Sequence, residues 1–239
     1  MKILAFESSA KAASCALLAD GALMAEYYQN SGQTHSRTLT KMAEDLLKNC
    51  DLTPADIDAV ACAAGPGSFT GVRIGVAAAK GFAWGREIPC CGVSTLEAMA
   101  WQLADRDALI VCAMDARRGQ LYNALFAGGS GRPIRLTDDR AISAEALADE
   151  LRKIEKTKII VGDGALVCYN ALDGKLDGLT LPPECLRFQH ASGVALAAAD
   201  AIASGKSCDA AALVPNYLRL SQAERERLAR MKAKESKGD

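Results

Sequence analysis

Gly65-Pro66-Gly67-Ser68-Phe69-Thr70-Gly71-Val72-Arg73-Ile74-Gly75-Val76-Ala77-Ala78-Ala79-Lys80-Gly81-Phe82-Ala83-Trp84-Gly85 is the stretch from which the fold is read. An apolar run, Ile57 to Ala64, leads into its glycine turn. Ser68 or Thr70 then offers a hydroxyl to the unpaired amides that open a helix. After Gly85 the chain turns at Ile88-Pro89, runs as Cys90 to Val93, and enters a second helix near Thr95. Strand, glycine turn, helix, strand, helix is the pattern of right-handed crossovers onto a mostly parallel sheet, hence an α/β fold.

A glycine turn feeding a helix suits either a phosphate cradle or a tight turn with close helix–sheet packing. The stretch is not G-x-x-x-x-G-K-[ST], and it departs from G-x-G-x-x-G at its last glycine, which stands one place late as Gly71. These departures favour the packing reading. At 3.6 residues per turn, Arg73, Ala77, Lys80 and Trp84 share one stripe, with Gly71, Gly75, Ala78 and Phe82 opposite. Val72, Val76, Ala79 and Ala83 form a further apolar row, more than one sheet face needs. The row is expected in a subunit interface with Arg73 and Lys80 at its rim. The alternative is that the preceding helix covers it within the chain, through Leu39, Met42 and Leu46.

The 239 residues are half apolar and carry a formal net charge of −1, enough for one or two domains with a real core. Near-neutral charge argues against a protein that holds nucleic acid by itself. Nine cysteines contain no C-x-x-C pair, and most lie in strand-like runs as small apolar residues. With the short apolar run Ile3 to Phe6 soon broken by Glu7, the expectation is a chain without membrane or secretory segment, at home in the cytoplasm.

The element order repeats. Lys2 to Glu7, Ala13 to Ala19 and Ala22 to Tyr28 read as strands, Ser36 to Cys50 as a helix, then the strand and helix above. From Ala108 the order begins again: Ala108 to Asp115, Leu121 to Ala127 and Ile134 to Leu136 as strands, Ser143 to Lys153 as a helix, and Lys158 to Val161 as a strand before Gly162-Asp163-Gly164. Helices follow at Ala165 to Leu172 and Gly193 to Ser204, and the acid and the second strand recur at an offset of 108. A duplicated β-β-β-α-β-α unit resembles the actin-like ATPase (ASKHA) superfamily. The expected division is a first lobe over 1–106 carrying the dimerisation helices, a second over 107–220, and a charged, disordered tail over 221–239.

Four segments carry a more specific resemblance: Gly65 to Gly75, Gly92-Val93-Ser94-Thr95-Leu96-Glu97, Met114 to Tyr122, and Pro215-Asn216-Tyr217-Leu218-Arg219. Together they resemble the TsaB (YeaZ) family, bacterial partners of TsaD in making threonylcarbamoyladenosine on tRNA. The resemblance implies a non-catalytic subunit that binds and activates a TsaD-type paralogue, is joined by a TsaE-type ATPase, forms a homodimer alone, and meets tRNA only through the complex. Helices 36–50 and 70–85 would form the pairing surface in a four-helix bundle.

Catalytic TsaD relatives hold a metal through H-x-x-x-H on the helix after this same strand, because residues four apart stack on one helix face. Those positions fall on Thr95 and Met99 here, and the chain's two histidines, His35 and His190, stand far apart in sequence. No metal centre and no cofactor are therefore expected. Glu7 and Asp115, each ending the first strand of a half, are placed to face each other across a cleft as a vestigial nucleotide site with Gly162 and Gly164. The competing reading is an actin-like ATPase or phosphotransferase using Glu7, Asp115 and Gly162-Asp163-Gly164, or a peptidase of the M22 type. Against the peptidase, Ser8 and Ser9 lack a nearby histidine and no G-x-S-x-G elbow occurs. A free-standing RNA-binding protein is a third reading. Arg117 and Arg118 are expected to pair with Asp115 or Glu7 rather than to catalyse.

Overall fold

The first two strands are apolar on both faces, and the computed structural model, which describes residues 1–172 and 176–219, buries both faces. Strands β1 (Lys2–Glu7), β2 (Ala13–Ala19), β3 (Ala22–Gln29), β4 (Ala59–Gly65) and β5 (Cys90–Ser94) form a sheet ordered β3-β2-β1-β4-β5. β1, β4 and β5 run parallel, while the β1–β2–β3 meander is antiparallel. Alternation along a strand sends successive side chains to opposite faces. Leu4, Phe6, Cys15, Leu17, Val60 and Cys62 pack toward helices α1 (His35–Asn49) and α2 (Phe69–Trp84). Ile3, Ala5, Ala16, Leu18, Ala59 and Ala61 pack toward α6 (Ala191–Ala203).

The second half repeats the order. β6 (Leu109–Asp115), β7 (Gln120–Ala127), β8 (Ile134–Arg135), β10 (Lys158–Val161) and β11 (Leu179–Thr180) form a sheet ordered β11-β10-β6-β7-β8, and β9 (Arg140–Ser143) also pairs with β7. Helices α4 (Ala144–Leu151) and α5 (Ala165–Ala171) cover one face. The other receives α3 (Thr95–Trp101), whose Leu96, Met99 and Ala100 pack with Ile110, Cys112 and Met114. The first half is thus longer than the expected unit by a strand and a helix, β-β-β-α-β-α-β-α, and the second has the short β9 in addition, β-β-β-β-α-β-α-β-α. β9 and β11, short and flanked by polar residues, carry little pattern in the sequence. The halves also differ in register. Glu7 pairs with Ser14 but Asp115 pairs with Leu121, so the second turn is one residue shorter and the offset of 108 fails at the second strand.

Two expectations are corrected. The division after residue 106 separates the sheets but not the packing units. α6 returns to the first sheet, where small side chains such as Ala191, Ala195 and Ala198 let it lie close to Ala5, Ala16 and Ala61. Ser14 Oγ accepts the Ala191 amide at 2.7 Å, and the Glu26 carboxylate accepts the Ser192 amide at 3.0 Å and hydroxyl at 2.9 Å, so two first-half residues satisfy the orphan amides that start this helix. A strap over residues 206–219 follows α6 back to the first half. Cys208 and Cys90 exchange both backbone hydrogen bonds, and the Asn216 amide donates to Ala64 O at 2.6 Å. The expected tail, 221–239, lies outside the described residues.

The second correction concerns the interface row. Val72, Val76, Ala79 and Ala83 are the core face of α2, at 1%, 5%, 0% and 0% exposure, in one cluster with Phe6, Leu39, Leu46 and Val60. Leu39 and Leu46 are equally buried, and Met42 half so. The helix faces the sheet about a quarter turn from where the glycines suggested, because Gly71 and Gly75 lie against the turn after β1 and the valine row centres on the sheet. Arg73 and Lys80 hold the strap instead of rimming an interface. Arg73 Nε donates to the Tyr217 hydroxyl at 2.8 Å, its guanidinium lies 3.8 Å from the Phe69 ring centroid, and Lys80 Nζ donates to Ala211 O and Leu213 O, each at 3.1 Å. No helix among the described residues is long and apolar enough to cross a membrane.

Candidate functional site

Asp115, the acid that ends β6, lines a cleft of about 750 Å³ between the halves, beside the turn that follows Glu7. Ser9, Ala10 and Lys11 line it from the turn after β1, Pro66 to Thr70 from the glycine turn, Asp115 to Arg117 and Asp163 from the second half, and Asn216 to Arg219 from the strap. Arg219 Nη1 donates to Ala116 O at 3.2 Å, so the strap touches both halves across the cleft.

The glycine turn packs against the turn after β1 and engages some of its own amides there. A side chain at Gly67 or Gly71 would overlap the backbone of Ser9 or Ser8, and one at Gly75 would press on the Ser8 hydroxyl. The glycines thus admit the Ser8-Ser9 turn against the start of α2. The Ser68 amide donates to Ser9 O at 2.7 Å, Ser8 Oγ donates to Gly71 O at 2.9 Å, and Ser68 Oγ accepts the Gly71 amide at 3.3 Å. Two of the amides at the start of α2, those of Ser68 and Gly71, are thus engaged by the chain itself. Gly162 and Gly164 do similar work, each admitting the backbone at the end of β6.

Glu7 is fully buried. Burial pushes its carboxyl up to about 7, the Ser9 amide (2.6 Å to Oε1) and nearby hydroxyl pull it down in part, and the Asp163 charge pushes it further up. The residue coupled to Glu7 is therefore Asp163, which the sequence singled out only within Gly162-Asp163-Gly164, and not Asp115. Asp115 is exposed, and its Oδ1 accepts the Arg117 amide at 2.7 Å, which closes its own turn. Burial also raises Asp163, partly offset by the Gln189 amide, whose Nε2 donates to Asp163 Oδ1 at 3.1 Å. Gln189 was missed because a lone glutamine in a loop carries no spacing signal.

Arg117 and Arg118 depart from expectation too. Both are exposed with positive φ, 66° and 58°, and neither makes an ion pair among the described residues. Thr95 and Met99 are core residues at 0% and 1% exposure. Between them Glu97 is bound to Arg135 at 2.9 Å, which ties α3 to β8. His35 Nε2 lies 2.8 Å from Ala10 O, and His190 stacks on Tyr28 with its Nδ1 3.3 Å from Glu26.

A second concave surface lies on the outer side of α1 and α2, a groove of about 580 Å³ lined by Ala43, Leu47, Leu52, Pro54, Ala77, Ala78, Gly81 and Phe82, with Glu44 and Lys48 at its edge. Its lining is mostly apolar, and Ala77 and Gly81 are exposed.

Residues 26–227 match the family model described as TsaD: tRNA N6-adenosine threonylcarbamoyltransferase. The chain is 31% identical to "tRNA threonylcarbamoyladenosine biosynthesis protein TsaB" of Bacillus subtilis (strain 168), over 94% of this chain and 96% of that one. It is also 31% identical to the protein of the same name from Escherichia coli (strain K12), over 92% and 95%. Among solved structures, YeaZ from Pseudomonas aeruginosa superposes with a TM-score of 0.77 at 25% identity, covering 91% of this chain and 99% of that one. A component of a 2-hydroxyglutaryl-CoA dehydratase from Acidaminococcus fermentans, at 12% identity and a TM-score of 0.51 over 85% of this chain and 99% of that one, shares the fold alone.

Proposed function

Because this chain belongs to the TsaB (YeaZ) family and so to tRNA threonylcarbamoyladenosine biosynthesis, we propose that it serves there as a non-catalytic subunit that binds and activates a TsaD-type paralogue. The observation that carries the non-catalytic part is the state of α3. In a metal-dependent relative, two imidazoles four residues apart would share one ion. Here the same positions hold Thr95 and Met99, both packed into the interior between the sheets. The glycines of the turn, which admit the Ser8-Ser9 backbone against α2, have a packing role that supports the same reading against a phosphotransferase.

The α1–α2 groove is the pairing surface in this proposal. A helix pair from a paralogue, or from a second copy when the paralogue is missing, would bury Ala78, Gly81 and Phe82 in a four-helix arrangement. This replaces the valine row as the interface while keeping the same two helices. A TsaE-type ATPase and tRNA would join through the assembled pair.

Size-exclusion chromatography of the chain mixed with its TsaD-type paralogue tests the reading, with Phe82→Glu as the variant. A carboxylate buried in a protein interface weakens association by roughly 2–5 kcal/mol unless it finds a partner. Loss of the complex with a retained monomer melt is expected. A complex that survives Phe82→Glu unchanged would refute the groove. The polar cleft keeps an ATP-hydrolysing reading open to experiment, and tight ATP–magnesium binding with turnover by the isolated chain would establish it.

A further inference from the structure

Cys90 and Cys208 stand directly opposite each other where the strap meets the edge of the first sheet. The Cys90 amide donates to Cys208 O at 2.8 Å and the Cys208 amide to Cys90 O at 2.9 Å, an antiparallel bridge. Residues that exchange both hydrogen bonds hold their Cα atoms about 5.5 Å apart and send their side chains to one face. Both side chains accordingly join the cluster that α2 covers. The separation lies inside the range of roughly 4.4–6.8 Å that a disulfide spans. Every other cysteine on a described strand faces a residue of another type, such as Phe6 and Gly92 for Cys62 and Ala61 for Cys91. Cys62 is displaced by two residues along the neighbouring strand, since Cys90 pairs with Val60. Cys91 turns to the opposite face of the sheet, its Sγ 3.6 Å from Lys206 O. All of these thiols are free.

We propose that Cys90 and Cys208 are a site of oxidative modification, where a low-molecular-weight disulfide of the glutathione class converts the two thiols into a reversible bond between β5 and the strap. The order of attack follows from exposure. Cys208 is half-buried and lines a surface cavity of about 700 Å³ beside Trp84 and Pro89, whereas Cys90 is 0% exposed. The Cys208 thiolate attacks one sulfur of the reagent, forming a mixed disulfide and expelling the first glutathione thiolate. The Cys90 thiolate then attacks the Cys208 sulfur and expels the second. Two protein thiols become one disulfide, and the reagent's disulfide becomes two thiols that take up the protons Cys90 and Cys208 gave up. Burial sets the pace. It pushes the Cys90 thiol up to about 11, with the neighbouring Cys208 adding to it and the Lys80 ammonium offsetting it in part. Cys208 is raised by burial and by Asp209, again offset in part by Lys80. Thiolate is scarce at neutral pH, so the pair ignores brief exposure and answers a sustained change of redox poise. Reversibility has a geometric cause. Cβ atoms across such a bridge lie about 4.5–5.5 Å apart, wider than the roughly 3.5–4.5 Å of a relaxed disulfide, and a bond formed under strain is more readily reduced. The bond secures the strap, which carries Asn216 to Arg219 along the wall of the cleft between the halves.

Glutathione disulfide is the probe. The full chain is held with it at about pH 8.5, where thiolate is more abundant, then alkylated, cut with trypsin and analysed by mass spectrometry without reduction. The expected product links fragments 87–106 and 207–219 and is two hydrogens lighter than their sum. It carries Cys91 alkylated, and excess reduced glutathione returns it to two free thiols. Cys208→Ser should abolish the link and Cys91→Ala should leave it unchanged, with circular dichroism checking that both fold; the parent chain's own fragments carry the test if a variant does not. In the oxidised chain the amides of residues 206–219 should exchange roughly tenfold more slowly, while those of α5 keep their rates. Failure of the link to form while the exposed Cys185 takes up glutathione overturns the proposal. So does a link through Cys91, a link that reduced glutathione leaves intact, or unchanged exchange in the strap.

Discussion

Replacing Val76 by Glu separates a core residue from an interface residue. Val76 is 5% exposed and packs with Phe6, Leu39, Leu46 and Val60 beneath α2. Removing the valine from this cluster forfeits roughly 1.5–3 kcal/mol of apolar burial. The incoming carboxyl, neutralised by its surroundings, adds about 1–3 kcal/mol for polar atoms without partners. A loss of roughly 2.5–6 kcal/mol follows, a large share of the 5–15 kcal/mol typical of a folded domain. The assay is urea unfolding followed by far-ultraviolet circular dichroism, with Ala77→Glu, exposed on the next position of the same helix, as control. Ala77→Glu should stay within about 0.5 kcal/mol of the parent. If Val76→Glu is insoluble, Val76→Ala carries the test, with an expected loss of about 1.5–3 kcal/mol. A Val76→Glu chain that melts like the parent and fails only in association would refute the core assignment.

Gly71→Ala should destabilise by several kcal/mol although alanine favours helices, since its methyl would overlap Ser8 O; an unchanged or higher melting temperature would contradict the interlocked turns. Arg73→Ala removes the hydrogen bond to Tyr217 and the stacking on Phe69, and should loosen residues 206–219 by about 1–2 kcal/mol, read as faster amide exchange in that segment while β1 and β4 keep their protection. Burial alone would raise Glu26, but hydrogen bonds from His190 and Ser192 outweigh it and hold its pKa below 4.5. The unfolded state therefore takes up this proton first as acid is added, so the stability Glu26 contributes is present above about pH 4.5 and lost as pH falls through the folded value. Glu26→Gln should flatten the acid limb of the stability–pH profile, and an acid limb identical to the parent's would count against the role of Glu26 at the start of α6.

Local patterning was enough to give the elements of the first half and most of the second. Strands such as Lys2–Glu7 and Ala13–Ala19 are continuous apolar runs between turn residues, and α1 carries its apolar stripe in plain periodicity. The family signature, too, lies in contiguous segments, and that Thr95 and Met99 are not histidines is read without any coordinates. What the sequence left undetermined is which apolar face meets which. On α2 nearly every position but Arg73 and Lys80 is apolar or small, so periodicity defined a wide face without fixing its centre. The Ser8-Ser9 turn settled it by occupying the glycine side and setting the valine row on the sheet. The destination of α6 was equally hidden, because an alanine-rich helix fits several surfaces and only Ser14 and Glu26, more than 160 residues earlier, select this one. That the charge of Asp163 acts on Glu7 likewise depends on how two halves close on each other. Periodicity reports a residue's neighbours along one element, whereas charge–charge contacts and shared faces are set by the packing of elements distant in the chain.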